Sequence, residues 1–250
     1  MGFGVDASGR AIVAGYTSAS SGRTAAVRFL PTGERDASYG TVFLGLDGLV
    51  EDIVVKRDGS AYFLSWDDWL TALDPQGRQL PGFGLDIGPD WLSDRPRTLA
   101  AGPGGTLLIA GQAGSRAGFI ARVRADGQPD RRFGDGGVII VQSAAINAIA
   151  RDRRGRLVAA GDRHPRDYKR DAAVLRFSAR GRLDRSFGSR GIAVKRLGLV
   201  RGVNIVSSTA DHVAIDDRGR IVIAGQSYDD EFIGREDQGQ SYPAIARLQG

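Results

Sequence analysis

The stretch ARDRRGRLVAAG, residues 150–161, decides the fold. Two β-rich runs flank a polar turn ending on Gly155, and glycine accepts the positive φ that a tight hairpin connection needs. The phrase returns as VDASGRAIVAG over 5–15 and as AIDDRGRIVIAG over 214–225. The turn glycines are Gly9, Gly59, Gly105, Gly155 and Gly219, and six residues after each stands Gly15, Ser65, Gly111, Gly161 or Gly225. A recurrence of about fifty residues with fixed internal spacing is the mark of a repeat architecture.

Working outward, a second block follows each hairpin. It is built on Arg28, Arg122, Arg176 and Arg247, and in the first four units it runs to a terminal aromatic–glycine pair: Tyr39-Gly40, Phe83-Gly84, Phe133-Gly134 and Phe187-Gly188. Arg28, Arg122 and Arg176 each precede by eight residues an aspartate, Asp36, Asp130 and Asp184. In the second unit the same two places hold Ala72 and Leu80. Losing both charges together is what a partly buried ion pair predicts, because one partner alone would be costly while an apolar pair can be nearly neutral. These six residues are therefore expected to be structural ion pairs, not catalytic groups.

After the aromatic–glycine pair comes another apolar run, such as VIIV over 138–141. Each unit then reads as four short antiparallel strands. Such a unit cannot bury both faces alone, so copies must stack, and radial stacking leaves only short edges. The reading is an all-β fold, a β-propeller of five four-stranded antiparallel blades, with the last lacking its outer strand. It covers 1–250 as one domain, in units of about 1–47, 48–92, 93–142, 143–199 and 200–250. Counting this way gives nineteen strands. The ring either closes with a three-stranded blade or belongs to a longer propeller, and an incomplete edge offers a place for self-association.

The phrases DGQPDRRFGDGG over 126–137 and GRLDRSFGSRG over 181–191, together with GRLVAAG over 155–161, resemble the delta-60 repeat family of bacterial β-propellers. The resemblance covers nearly the whole chain, weakest in the second unit at Ser65, Ala72 and Leu80. It implies the propeller fold and a secreted or cell-surface location, and it brings no catalytic residue with it.

Composition narrows the remaining classes. The 36 glycines are about twice the average share without a collagen triplet, which fits many turns. No cysteine is present, so disulfides and thiolate metal sites are both excluded. Nothing at the start reads as a signal peptide and no apolar run is long enough for a membrane span. The net charge of +5 is spread along the chain without interleaved aromatics, so nucleic acid is not an expected partner. No cofactor is expected.

Length variation points to where function sits. The connection from second to third strand, spanning 15–28, 65–72, 111–122, 161–176 and 225–247, is the elastic part, and in an antiparallel blade it emerges at the same end as the fourth-to-first connection. Insertions gathered on one rim commonly mark a binding face. That rim holds Tyr16, Trp66, Asp67, Asp68, Trp69, His164, Tyr168, Tyr228, Asp229, Asp230 and Tyr242. Amphipathic aromatics beside carboxylates suit a protein or carbohydrate ligand, since a flat ring stacks while the acids accept hydrogen bonds. The leading expectation is a non-catalytic recognition scaffold, and the alternative is a propeller hydrolase or lyase using rim carboxylates. Two histidines are too few for a histidine-rich metal site, and no acidic run has calcium-loop spacing.

Overall fold

The computed structural model describes residues 2–17, 23–46, 49–65, 70–83, 95–114, 117–142, 144–163, 170–195, 197, 205–229 and 241–249. Among them are five antiparallel sheets, no α-helix, and one 3-10 turn at Pro103–Gly105. The first sheet runs β1 (Gly2–Val5), β2 (Ala11–Tyr16), β3 (Thr24–Phe29), β4 (Thr41–Phe43). The second holds β5 (Val50–Val55), β6 (Ala61–Ser65) and β7 (Leu70–Leu73). The third is β8 (Arg95–Ala101), β9 (Leu107–Ala113), β10 (Ala117–Val123) and β11 (Val138–Val141). The fourth is β12 (Ala144–Arg151), β13 (Leu157–Arg163), β14 (Asp171–Phe177) and β15 (Ile192–Lys195). The fifth is β16 (Ile205–Ile215), β17 (Ile221–Asp229) and β18 (Ser241–Leu248), three strands as the repeat predicts. The nineteenth expected strand, the outer strand of the second blade, falls within 84–94, outside the described residues.

The hairpin between first and second strand is set by an aspartate as much as by its glycine. Asp152 Oδ1 accepts the backbone N–H groups of Arg154 at 2.9 Å and Arg156 at 2.8 Å, while Gly155 takes φ 77°. Asp6 and Asp216 do the same in their sheets. An Asx side chain that holds its own turn explains why Asp recurs four residues before Arg.

Contacts divide the chain into two compact units, Met1–Ile109 with Val123–Pro129, and Ala110–Arg122 with Asp130–Gly250. In the first, a core of Ile12, Ala14 and Ala26 meets Ile53, Ala61 and Phe63, with the buried Tyr39 ring between the two sheets. In the second, Ala160, Ala172 and Val174 meet Ala210, Ile221 and Ile223 with Phe187 between them. Small residues on one sheet and branched ones on the next let two twisted sheets interdigitate at native density.

The block arginines organise these joints. Arg28 Nη2 lies 2.8 Å from Asp36 Oδ2, Arg122 Nη2 lies 2.8 Å from Asp130 Oδ2, and Arg176 Nε lies 2.8 Å from Asp184 Oδ2. Each guanidinium also covers the aromatic of its own unit, at 4.3 Å for Tyr39 and 4.7 Å for Phe133 and Phe187. Arg122 Nη1 donates further to the Ala179 carbonyl of the following sheet at 2.8 Å. One planar cation thus meets a carboxylate, a ring and a neighbouring turn, a combination that lysine cannot reproduce.

The Ser38 hydroxyl donating to Asp36, and then Arg28, hold the Asp36 carboxyl at about 2 against the opposing pull of burial. Asp184 is lowered in the same way, first by the Ser186 hydroxyl and then by the Ser186 backbone N–H and by Arg176. A carboxyl depressed in the folded state contributes stability that is complete well above its unfolded value of 3.8 and is lost as pH falls through its folded value. Urea melts are therefore expected to give a constant midpoint from neutral pH to about pH 5 and a falling one from about pH 4 to pH 2. Asp36→Asn should flatten part of that fall.

No helix among the described residues is long and apolar enough to cross a membrane.

Candidate functional site

The second-to-third and fourth-to-first connections leave each sheet at the same end. There β12 and β16 carry matching β-bulges, one between Ile146 and Ala148 and the other between Ala210 and His212. The bulged residues are Asn147 and Asp211, each five positions before its hairpin aspartate, Asp152 and Asp216. A bulge re-aims side chains and bends its strand. It also accounts for the second recurring glycine: a Cβ at Gly161 would run into the Ala145 carbonyl oxygen, and one at Gly225 into that of Thr209. Neither glycine is there for a left-handed φ; each lets the bulged inner strand come close.

The bulges assemble a polar cluster across the fourth and fifth sheets. Asn147 Nδ2 donates to Asp162 Oδ1 at 2.8 Å and to the Ala210 carbonyl at 3.2 Å. Asp162, on β13, is only 3% exposed, and Arg170 Nη1 stands 3.7 Å from its Oδ2. Arg170 is tied to the fifth sheet in turn, its carbonyl accepting from Ser208 N at 2.7 Å and its N–H donating to Ser207 Oγ at 2.9 Å. Asp211 accepts a hydrogen bond from Thr209 Oγ1 at 3.2 Å. Beyond it an open groove of about 430 Å³ is lined by Asp211, His212, Gln226, Pro243 and Ile245 among others. A buried carboxylate is tolerated when hydrogen bonds and a cation satisfy it, as Asn147 and Arg170 do here. Asp162 is thus held by its own partners, while Asp211 on the fifth sheet lines the open groove together with His212. A carboxylate and an imidazole lining one groove are suited to proton transfer. Among the described residues no group of three or more potential ligands could hold a metal ion.

The rim residues read from the sequence are placed differently. Trp66, Asp67, Asp68, Trp69, His164, Tyr168 and Asp230 lie outside the described residues. Tyr16 ends β2 opposite Thr24 and is 53% exposed. Tyr228 stands opposite Ser241 and donates to Gln226 Oε1 at 2.9 Å, while Tyr242 stands opposite the buried Ser227. Consecutive residues of a strand face opposite ways, so Tyr228 and Tyr242 belong to opposite faces of the fifth sheet and form no shared platform. Asp229 pairs with Ile205 at the end of β17. Sequence reading missed Asn147, Asp162, Arg170 and Asp211. The signal was a polar residue interrupting an apolar first strand at one fixed distance before the turn aspartate, visible at Asn147 and Asp211 once the repeats are aligned.

Comparison with known proteins bears on fold first. Residues 7–39 and 155–187 match the family model described as "Domain of unknown function (DUF5122) beta-propeller". No curated protein matches the chain. Among solved structures, a putative gluconolactonase is 12% identical over 100% of this chain and 77% of its own, with a TM-score of 0.50. A calcium-binding regucalcin from Agrobacterium tumefaciens is 18% identical over 99% and 73%, with a TM-score of 0.48. A gluconolactonase from Xanthomonas campestris is 17% identical over 89% and 68%, also with a TM-score of 0.48. The first of these likenesses corrects the expectation of a non-catalytic recognition scaffold, since the fold that the chain shares is one carried by a protein described as an enzyme. The sheet order, the propeller family model and the solved fold together make this chain a β-propeller protein.

Proposed function

We propose that the chain is a hydrolase of neutral esters or lactones, working at the bulge-assembled cluster of the fourth and fifth sheets. The observation that carries this reading is the Asn147 amide bridging Asp162 on one sheet and the Ala210 carbonyl on the next, which brings the segment bearing Asp211 alongside a buried carboxylate and its arginine. In this reading Asp211 takes a proton from the attacking water. His212, which lines the same groove, donates a hydrogen bond to the carbonyl oxygen, and Asn147 fixes the strand that carries Asp211 by bonding the Ala210 carbonyl. The fold is shared with a solved structure described as a putative gluconolactonase. In keeping with the phrases at 126–137 and 181–191, the repeat is read as the delta-60 kind.

The test is a pH-stat assay of the purified chain with glucono-δ-lactone and with p-nitrophenyl acetate. Turnover above the uncatalysed rate is expected, and Asp211→Asn should lower kcat about a hundredfold without moving the melting temperature. Absence of turnover on both substrates, or full activity in the variant, rejects the assignment.

A further inference from the structure

At the other end of the fourth sheet, beyond Phe177, the third-to-fourth-strand connection lies side by side with that of the third sheet. Gly134 N–H donates to the Arg180 carbonyl at 3.1 Å across the two turns. Around this contact is an open groove of about 510 Å³ lined by Arg132, Gly134, Arg180, Gly181 and Arg182. All three arginines are exposed, the lining contains no carboxylate, and none of the three guanidinium groups has an ion-pair partner among the described residues.

The repeats supply an internal control. Counting ten residues from the block position of one unit, and four and six from that of the next, reaches Arg132, Arg180 and Arg182. The same count gives Ser38, Gln76 and Arg78 between the first and second units, and Gly82, Asp126 and Gln128 between the second and third. The turns keep their shape throughout. Gly77, Gly127 and Gly181 take φ of 84°, 82° and 84°, and Leu80, Asp130 and Asp184 donate backbone N–H groups to the block positions at 2.8 Å. The fold therefore does not need three cations at this joint. Guanidinium groups lining a single groove fall within one screening length and repel each other, a cost that an anion placed between them reverses.

We propose that this groove is an anion site that takes the sulfate or phosphate ester of a saccharide. Arginine forks match tetrahedral oxyanions through paired charge-assisted hydrogen bonds. Among the described residues the lining has no aromatic ring, so it offers a nucleic-acid base nothing to stack on, and no apolar side chain for a lipid. A polar carrier bearing the oxyanion is the chemistry that remains.

Calorimetric titration of the full chain with a heparin-derived hexasaccharide, with inorganic sulfate and with oligothymidylate tests the site. The hexasaccharide is expected to bind most tightly, and more weakly as salt is added. The variant Arg132→Ser, Arg180→Gln, Arg182→Gln borrows residues that equivalent turns already carry at Ser38, Gln76 and Gln128, and should weaken binding about tenfold or more. Arg153→Ala, at an exposed pair with Asp217, should leave binding unchanged. Should the triple variant fail to fold, Arg180→Gln alone is expected to give about a threefold loss, and an unchanged affinity there counts against the site. Undiminished binding by the folded triple variant overturns the proposal. Equal affinity for inorganic sulfate, or tighter binding of oligothymidylate, overturns the saccharide assignment.

Discussion

Arg122→Ala is expected to cost about 3–5 kcal/mol of stability, and Arg122→Ala with Asp130→Leu much less, despite removing more of the native side chains. In the single variant Asp130 keeps its charge in a mostly buried place, the Phe133 ring loses the cation over it, and the Ala179 carbonyl loses its donor. The double variant installs the pair that the second sheet already uses. There Leu80 N–H donates to the Ala72 carbonyl at 2.8 Å, matching Asp130 to Arg122 at 2.8 Å, so the backbone of this connection forms without the ion pair. What the pair adds is a fastening to the neighbouring sheet. Urea denaturation of the two variants and the wild type decides the matter. A double variant as unstable as the single, or more so, would contradict the view that an uncompensated carboxylate dominates the cost.

Gly161→Ala should be the more damaging of the two glycine changes that follow, by about 3 kcal/mol or more. Its Cβ would collide with the Ala145 carbonyl and crowd Ile146 Cα, both backbone groups of a strand that cannot move without opening the β12–β13 pairing. Gly33→Ala offers the contrast. Gly33 has φ 86° and nothing within 4 Å of the point where a Cβ would stand, so it should lose only the left-handed preference, about 1–2 kcal/mol. Thermal melts would rank the two, and a milder effect at Gly161 would show that the bulged strand yields. Because Asn147 sits on that bulge, a folded Gly161→Ala should also disturb the Asn147–Asp162 hydrogen bond and with it the proposed activity.

How far the chain could be read without coordinates differs by feature. The hairpins were legible because an Asx turn is local: Asp152, Gly155 and Arg156 act within five residues. The aromatic–glycine pairs were legible as the fixed end of the block, and stacking sheets give them their place, with Tyr39 and Phe187 filling the space between neighbours. The bonds of Asn147 to Asp162 and to the Ala210 carbonyl beside Asp211 were not legible, since these residues span 147–211 and meet through two bulges. Among the described residues, the tyrosines singled out on the rim share a region of sequence but not a surface. Tyr228 and Tyr242 illustrate this, falling on opposite faces because strand pairing gives each a different partner.

From residue order alone the period, the hairpins, the strand count of most units and the residues of the block followed, because each depends on interactions spanning fewer than about a dozen positions. Which polar groups converge was settled only when the sheets were formed and stacked. Bulge geometry and the abutting of neighbouring turns bring Asn147 to the Ala210 carbonyl and Arg132 to Arg180 across long stretches of chain, and no local preference encodes such meetings.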